Sequence, residues 1–130
     1  MQQEVYDACS DAVKTFMTEL QEIGSRLNIG MNYDEYGQFL SDARVTYDRA
    51  FTQDVIDEMD PNCLAEVAVP LENAFQSYVN VHGIWGDCIK DYDCVFSEGQ
   101  TNTKAQRGWV RAGTQTSKAV DGLSGLSPEG

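Results

Sequence analysis

The sequence has a single histidine, nine basic residues against 21 acidic ones, and no long apolar run. Any Ser-His-Asp or Cys-His catalytic site would have to be built around His82. The roughly 20-residue apolar stretch that a transmembrane helix requires is absent. The net charge of −12 argues against nonspecific binding to nucleic acid or to anionic membrane, because both need a cationic surface. We therefore expect no nucleic-acid partner and no membrane span.

Motifs for phosphate binding and for catalysis are missing as well. Gly83, Gly86, Gly108 and Gly113 do not have the spacing or the context of a phosphate-binding loop. Carboxylates are plentiful, but nothing singles out one pair of the kind that a glycosidase uses. A lone histidine on the inner face of a helix is typical of packing rather than of catalysis. We predict that the chain is not an enzyme and that it needs no cofactor and no metal.

Apolar residues instead recur at the three- and four-residue spacing of amphipathic helices in four stretches. Residues 4–28 form the first stretch, and Gly30 supplies a C-terminal cap. The second begins at Asn32, an N-cap with Glu35 three residues later, as in a capping box. Its apolar stripe contains Tyr36, Tyr47 and Phe51 among others. This second helix is predicted to run to about Glu58.

The third helix begins at Asp60-Pro61, where an N-cap is followed by proline at the first helical position. Pro70 lies inside the helical pattern and predicts a kink. A polar loop from about Lys90 to Asn102 follows. The helix therefore ends close to Lys90.

The fourth helix is predicted from about residue 103 to 120, with Gly122 ending it. There is no internal repeat and no strand pattern of any strength. Four amphipathic helices with short connections favour an all-α, antiparallel four-helix bundle. We predict one domain over residues 1–123 and a flexible C-terminal tail over residues 124–130.

Four cysteines allow three disulfide pairings, and the helix layout selects one of them. In an up-down bundle the starts of helices one and three lie at the same end, which brings Cys9 near Cys63. Cys88 follows Cys63 by 25 residues. At about 1.5 Å per residue this is nearly 40 Å, whereas a disulfide needs Cα atoms within about 7 Å. The prediction is Cys9–Cys63 and Cys88–Cys94.

Two structural disulfides indicate an oxidising compartment, so we expect a secreted or cell-surface, extracytoplasmic protein. The N-terminal residues lack the basic and apolar regions of a secretory signal. For an exported protein, the signal would have preceded Met1.

Other uses of the cysteines and acids remain open. The cysteines are also compatible with buried free thiols in the cytosol, with a redox-active pair, or with zinc held by His82, Cys88, Cys94 and a carboxylate. Two acidic clusters are candidate calcium sites, with a solvated acidic face as the ordinary alternative. The clusters are Asp54, Asp57, Glu58 and Asp60, and Asp87, Asp91 and Asp93.

Charge is unevenly distributed along the chain. Residues 1–98 carry a net charge of −14, and residues 99–130 carry +2. The fourth helix has a separate basic stripe, which is a candidate docking face and otherwise a solvated surface that complements the acidic body. Its members are Lys104, Arg107, Arg111 and Lys118.

A second candidate surface surrounds the two tryptophans. Trp85 and Trp109 lie beside glycines at which helices can approach closely, and His82 and Tyr78 share the helix face of Trp85. The four side chains are predicted to form a small aromatic pocket or an anchor surface, with plain core packing as the alternative.

Several segments are together similar to uncharacterised small secreted or lipid-anchored helical proteins of bacteria, of the actinobacterial type. They are Gly30–Tyr36, Pro70-Leu71-Glu72, Trp85-Gly86-Asp87-Cys88, Cys94 and Trp109. The resemblance implies a compartment and a fold, and it brings no activity. The lipid-attachment cysteine usual at the mature N-terminus of that group is absent, because Cys9 falls within the first helix.

From these features we expect an extracytoplasmic helical interaction module with an acidic body and a basic last helix, acting on a protein partner. The alternative is a secreted inhibitor or immunity-type protein that uses its acidic face to cover a basic site on a partner.

Overall fold

Five helices make up the chain in the computed structural model, which describes residues 2–128. In chain order they are α1 at Gln2–Ile29, α2 at Tyr33–Ala50, α3 at Gln53–Glu58, α4 from Pro61 to Lys90, and α5 at Gly99–Leu126. Helix α4 is continuous through an α-helical turn at Pro61–Cys63, a π-helical turn at Leu64–Ala68 and a long α-helical segment at Val69–Lys90. No strand occurs between residues 2 and 128, and the predicted all-α class is confirmed for them.

The connection between α1 and α2 has the local chemistry that the sequence predicts. Gly30 adopts a positive φ of 126°, and its amide donates to the carbonyl of Arg26 at 2.9 Å. The Glu35 amide then donates to the Asn32 side chain at 2.8 Å, and the Asn32 amide donates to the Glu35 carboxylate at 3.2 Å. This reciprocal capping box is confirmed, and it fixes where α2 begins.

The second helix is shorter than predicted. It ends at Ala50, and Phe51 leaves the helical conformation with φ −113° and ψ 55°. The Phe51 ring packs edge-on to Phe16, with ring centroids 5.8 Å apart. Thr52 then starts α3, since its hydroxyl accepts a hydrogen bond from the Val55 amide at 3.3 Å. The predicted continuation to Glu58 is wrong because Phe51 packs into the core and Thr52 supplies a new N-cap.

Helix α4 begins as predicted and passes its internal proline without a break. The Asp60 carboxylate accepts hydrogen bonds from the amides of Asn62 and Cys63 at 2.9 and 3.4 Å. Ahead of Pro70 the backbone widens into the π-helical turn, in which the Val69 amide donates five residues back to a carbonyl. A kink was expected at Pro70, and the structure has this turn directly before it.

The last helix is longer than predicted at both ends. It starts at Gly99, and it continues through Gly122 to Leu126. The predicted end at Gly122 is wrong because this glycine is a close-packing position inside the helix, where an added Cβ would meet the backbone of α4. Residues 124–126 of the predicted tail are therefore helical, and residues 129–130 lie outside the described residues.

The helices pack around one core. The largest interface joins α4 and α5; α1 packs against α2, α4 and α5, and α2 packs against α4. The largest side chains without exposed surface are Tyr36, Phe16, Leu20, Ile23, Leu71, Val13, Val67 and Val81. None of the helices in residues 2–128 is long and apolar enough to cross a membrane.

Both predicted disulfides are confirmed. Cys9–Cys63 ties α1 to the first turn of α4 with a Cα–Cα distance of 5.8 Å. Cys88–Cys94 ties the end of α4 to the loop before α5 with a Cα–Cα distance of 5.2 Å. All four cysteines are bonded in this structure, which leaves no free thiol for a zinc site.

Candidate functional site

The basic stripe is a continuous exposed face of α5. Lys104, Arg107, Arg111 and Lys118 are all exposed. Because an α-helix turns about 100° per residue, these four positions fall within roughly 60° of one another. The structure therefore brings the four predicted cations together on one side of the helix.

These cations have no carboxylate partner within residues 2–128. The ion pairs in that part of the chain join Lys14 to Asp11 at 3.7 Å and Arg44 to Asp48 at 3.2 Å. The basic stripe is thus not neutralised by the acidic body, although the body supplies most of the net charge of −12. An apolar side chain, Val110, is 67% exposed beside Arg107 and Arg111 and adds an apolar element to the face.

The two tryptophans belong to an aromatic cluster between α2, α4, α5 and the loop that precedes α5. Its members are Tyr33, Tyr36, His82, Trp85, Phe96 and Trp109. Trp85 contacts Trp109 with centroids 6.4 Å apart and stacks on Phe96 at 4.5 Å. The His82 ring stacks with that of Tyr33 at 4.6 Å and with that of Tyr36 at 5.7 Å between centroids. The rings pack against one another, as in the core-packing alternative.

Tyr36 is the hydrogen-bonding centre of this cluster. Its hydroxyl donates to the backbone carbonyl of Tyr78 at 2.5 Å and accepts from the indole N–H of Trp109 at 3.3 Å. The side chain is fully buried, and this burial raises the pKa of the phenol well above its ordinary value. These bonds join α2 to α4 and α5 through one neutral hydroxyl.

The second disulfide positions the loop residue of the cluster. Cys88–Cys94 closes the loop after α4, and the Cys94 sulfur lies 3.5 Å from the Thr101 hydroxyl at the start of α5. Phe96 follows two residues later and stacks on Trp85 with an interplanar angle of 6°. The disulfide therefore anchors the loop to the end of α4 two residues before Phe96.

Tyr78 is not part of the ring cluster, although it shares a helix face with His82 and Trp85. It is 2% exposed, and its hydroxyl lies beside Gly24 of α1. Burial raises the pKa of this phenol too. The structure thus separates the Tyr78 ring from those of His82 and Trp85, whereas Tyr78 and Trp109 both line one groove between α1 and α5.

Sequence reasoning left three cluster members out of the candidate surface. Helical periodicity places Tyr36 in the apolar stripe of α2, which is correct for its ring. Periodicity does not indicate the hydrogen bonds that its hydroxyl makes. Tyr33 lies at the start of α2, and Phe96 lies in a loop without periodicity. The short Cys88–Cys94 spacing was the available signal for Phe96, because a disulfide there brings the loop close to the end of α4.

The acidic clusters do not assemble into metal sites. Within residues 2–128 no three His, Cys, Asp or Glu side chains converge to hold an ion. Asp60 instead caps α4, and Asp91 accepts the Asp93 amide at 3.0 Å in a local turn. Asp57 accepts a hydrogen bond from the side-chain amide of Gln53 at 2.8 Å.

A groove of about 580 Å³ lies beside the Cys9–Cys63 disulfide, between α1 and the α3 region. Val5, Ala8, Ala12, Val55 and Met59 give it apolar walls. The same groove is lined by three carboxylates, those of Glu4, Glu58 and Asp60. It combines apolar surface with negative charge and has no cation among its lining residues.

No protein-family model matches the chain, and neither a curated protein nor a solved structure matches it. The function proposed below therefore rests on the surfaces of this chain.

Proposed function

We propose that the chain is an extracytoplasmic helical interaction module whose basic stripe on α5 docks an acidic surface of a protein partner. The observation that carries this proposal is the set of four exposed, clustered cations without an ion-pair partner in residues 2–128. The chain has 21 acidic residues, yet none of those within residues 2–128 forms an ion pair with these four cations. Such a face attracts an acidic partner selectively.

The proposed architecture is an antiparallel bundle of the four long helices. In support, helices α1 and α2, α2 and α4, α4 and α5, and α5 and α1 pack against each other. Cys9 near the start of α1 is bonded to Cys63 near the start of α4. With α2 as the intervening return helix, this pairing favours an up-down order. The proposed bundle leaves one long side of α5 facing outward.

The proposed compartment is extracytoplasmic, either secreted or at the cell surface. Two disulfides that include all four cysteines support it, because such bonds persist mainly in oxidising compartments.

The basic stripe should mainly speed the first encounter with the partner and orient the partner on the helix. Exposed charges lose little hydration before contact, and their attraction decays over a Debye length of about 8–10 Å at moderate salt. Salt dependence is therefore the signature of this docking mode. Val110 beside the stripe would add an apolar contact after the first encounter.

The experiment measures binding of a fluorescent decaglutamate peptide by anisotropy at low and at moderate salt. The test variant is the double change Arg107→Glu with Arg111→Glu. We expect the wild type to bind the peptide in a salt-sensitive way. The affinity of the variant should be at least about tenfold lower, since two attractions become repulsions. The matched control is Lys14→Glu with Arg44→Glu, which changes the net charge equally but affects cations that are already paired. Equal losses in both double variants would contradict a role specific to the stripe.

A second candidate function uses the acidic groove beside Cys9–Cys63. Its apolar walls and three carboxylates fit a basic, partly apolar segment of a partner, as an inhibitor that covers a basic site would require. The probe is a lysine-leucine peptide, and the test variant is Glu4→Lys with Glu58→Lys. The control is Glu22→Lys with Glu98→Lys, two exposed positions outside the groove. If the protein covers a basic site of a partner with this groove, the test variant should lose peptide binding and the control variant should not.

A further inference from the structure

A second groove of about 680 Å³ runs between α1 and α5 on a different side of α5 from the basic stripe. Gln106, Gly113 and Ser117 line it from α5. At about 100° per residue these positions lie roughly 130° around the helix from the centre of the stripe. The groove is therefore separate from the four cations of the stripe, and Val110 lies at the edge of both surfaces.

The floor of this groove holds the hydroxyl of Tyr78, a residue that is otherwise almost fully buried. Tyr78 lines the groove and is 2% exposed, and its hydroxyl makes no hydrogen bond within residues 2–128. The hydroxyl is not sealed off from solvent, since the one fully enclosed polar atom without a partner in that part of the chain belongs to Glu19. Gly24 stands next to it, and a Cβ there would lie 3.1 Å from the phenol oxygen. The missing side chain keeps the floor open at Tyr78.

The walls of the groove indicate what kind of molecule would satisfy that hydroxyl. Amides and hydroxyls line both sides, from α1 and from α5, and apolar surface accompanies them. The polar members are Gln21, Ser25, Asn28, Gln106, Thr116 and Ser117. Asp121 is the only carboxylate among the lining residues, and no Lys, Arg or His is among them. An anionic ligand would find no counter-charge here and would meet Asp121.

Side chains that both donate and accept hydrogen bonds match a ligand whose own groups do the same. Hydroxyl groups on a neutral, polyhydroxylated ring have this property, and the ring's C–H faces need an apolar wall. Trp109 lines the groove, is half-buried, and has its indole N–H fixed by the Tyr36 hydroxyl at 3.3 Å. The combination of one fixed indole with several amides and hydroxyls is suited to a carbohydrate.

We propose that the groove between α1 and α5 binds a neutral saccharide, with the Tyr78 hydroxyl bonded to a sugar hydroxyl and Trp109 as the apolar wall. The volume suits a short oligosaccharide, since small-molecule sites span about 300–1,000 Å³. The proposal is independent of docking by the basic stripe.

The experiment titrates isotope-labelled protein with cellobiose, maltose and diacetylchitobiose and follows the Trp109 indole N–H signal. The chain has two tryptophans, so their indole signals can be assigned by substitution. We expect a saturable shift of the Trp109 signal with at least one of these sugars, at a Kd of about 1 mM. Tyr78→Phe removes only the hydroxyl and should weaken this binding about fivefold to tenfold.

A second variant blocks the groove without touching the phenol. Nothing lies within 4 Å of a Cβ added at Gly113, so Gly113→Leu fills the groove while sparing the core. It should abolish the shift, and the control Tyr92→Phe should bind like the wild type, because Tyr92 is fully exposed in the loop before α5. The proposal is overturned if none of the three sugars gives a saturable shift. It is equally overturned if Tyr78→Phe and Gly113→Leu both bind as the wild type does.

Discussion

The backbone carbonyl of Glu66 in α4 lies against Gly122 in α5, at a point where an added Cβ would collide with it. In an unbroken α-helix this carbonyl would accept a hydrogen bond from residue 70, and here residue 70 is a proline without an N–H. The π-helical turn before it pairs the Val69 amide with Leu64 instead. Proline in one helix and glycine in the other thus permit a close backbone approach between α4 and α5.

Replacing Gly122 by alanine should destabilise the protein. Alanine gains up to about 1 kcal/mol over glycine in helix propensity. The collision with the Glu66 backbone costs more, because α4 cannot move without disturbing the core, and overpacking costs typically about 1–3 kcal/mol. We expect a net loss of about 1–2 kcal/mol in the free energy of unfolding, measured by urea denaturation.

The matched control is Gly83→Ala in α4. Nothing lies within 4 Å of a Cβ at that position, so only the propensity gain remains, and stability should rise by up to about 1 kcal/mol. A Gly122→Ala protein as stable as Gly83→Ala would show that the two helices separate freely at Glu66.

The two disulfides should contribute unequally to stability. Cys9–Cys63 has a sequence separation of 54 residues and Cys88–Cys94 one of 6. Loop-closure entropy then assigns them about 4 and about 2 kcal/mol of the free energy of unfolding. Urea denaturation of the Cys9→Ala/Cys63→Ala and Cys88→Ala/Cys94→Ala proteins should reproduce this order.

Wild-type protein reduced with dithiothreitol serves as the control, since it loses both closures without the cavities that alanine leaves. Mass spectrometry of native protein after alkylation should find no modified cysteine, and four after reduction. A larger loss on removal of Cys88–Cys94 than on removal of Cys9–Cys63 would contradict the entropic order.

Local chemistry and chain geometry were enough to predict much of the fold. The capping box at Asn32 and Glu35 and the Asp60 cap depend on neighbouring residues alone. The pairing of Cys9 with Cys63 follows from the rise per residue and the order of the helices. The position of the four cations on one face of α5 was likewise predictable from their spacing in the sequence.

The remaining features depend on which helices pack against each other and on which residues of the two helices come into contact. The break after Ala50 occurs because Phe51 finds Phe16, a residue in another helix. Gly122 has the sequence signature of a helix end and is in fact a contact position. The position of the Tyr78 hydroxyl likewise depends on a residue in another helix, because it lies beside Gly24 in α1. A pattern within one helix carries no information on such partners.

Phe96 should report on the Cys88–Cys94 disulfide through Trp85. The two rings are stacked with centroids 4.5 Å apart, so the ring current of Phe96 should shift the Trp85 indole N–H signal. Opening the loop with Cys88→Ala/Cys94→Ala should move this signal toward the position seen in Phe96→Ala. The helical far-UV circular dichroism should stay unchanged.

Tyr92→Ala is the matched control in the same loop, because that side chain is fully exposed. It should leave both tryptophan signals in place. If the disulfide variant also left the Trp85 signal unmoved, Phe96 would be held over Trp85 by packing alone and the disulfide would have no part in the cluster.

The buried tyrosines should make the protein sensitive to alkali. Burial raises the pKa of Tyr36 and of Tyr78 above the ordinary value of about 10, so the folded state keeps its phenol protons when the unfolded chain releases them. The unfolded state then binds fewer protons, and the free energy of unfolding must fall as the pH rises. Their full contribution is present below about pH 10 and is lost above it, by up to about 1.4 kcal/mol per pH unit for each tyrosine.

Tyr36→Phe tests this assignment. Near neutral pH it should lower the free energy of unfolding by about 1–3 kcal/mol, because the Trp109 indole N–H and the Tyr78 carbonyl lose their common partner. Above pH 10 its stability should decline less steeply than that of the wild type, since one of the titrating phenols is gone. Urea denaturation at a series of pH values measures both effects, and Tyr92→Phe, which removes an exposed phenol, should show neither. An unchanged alkaline slope in Tyr36→Phe would mean that Tyr36 titrates alike in the folded and unfolded chains, and that its burial does not keep it neutral.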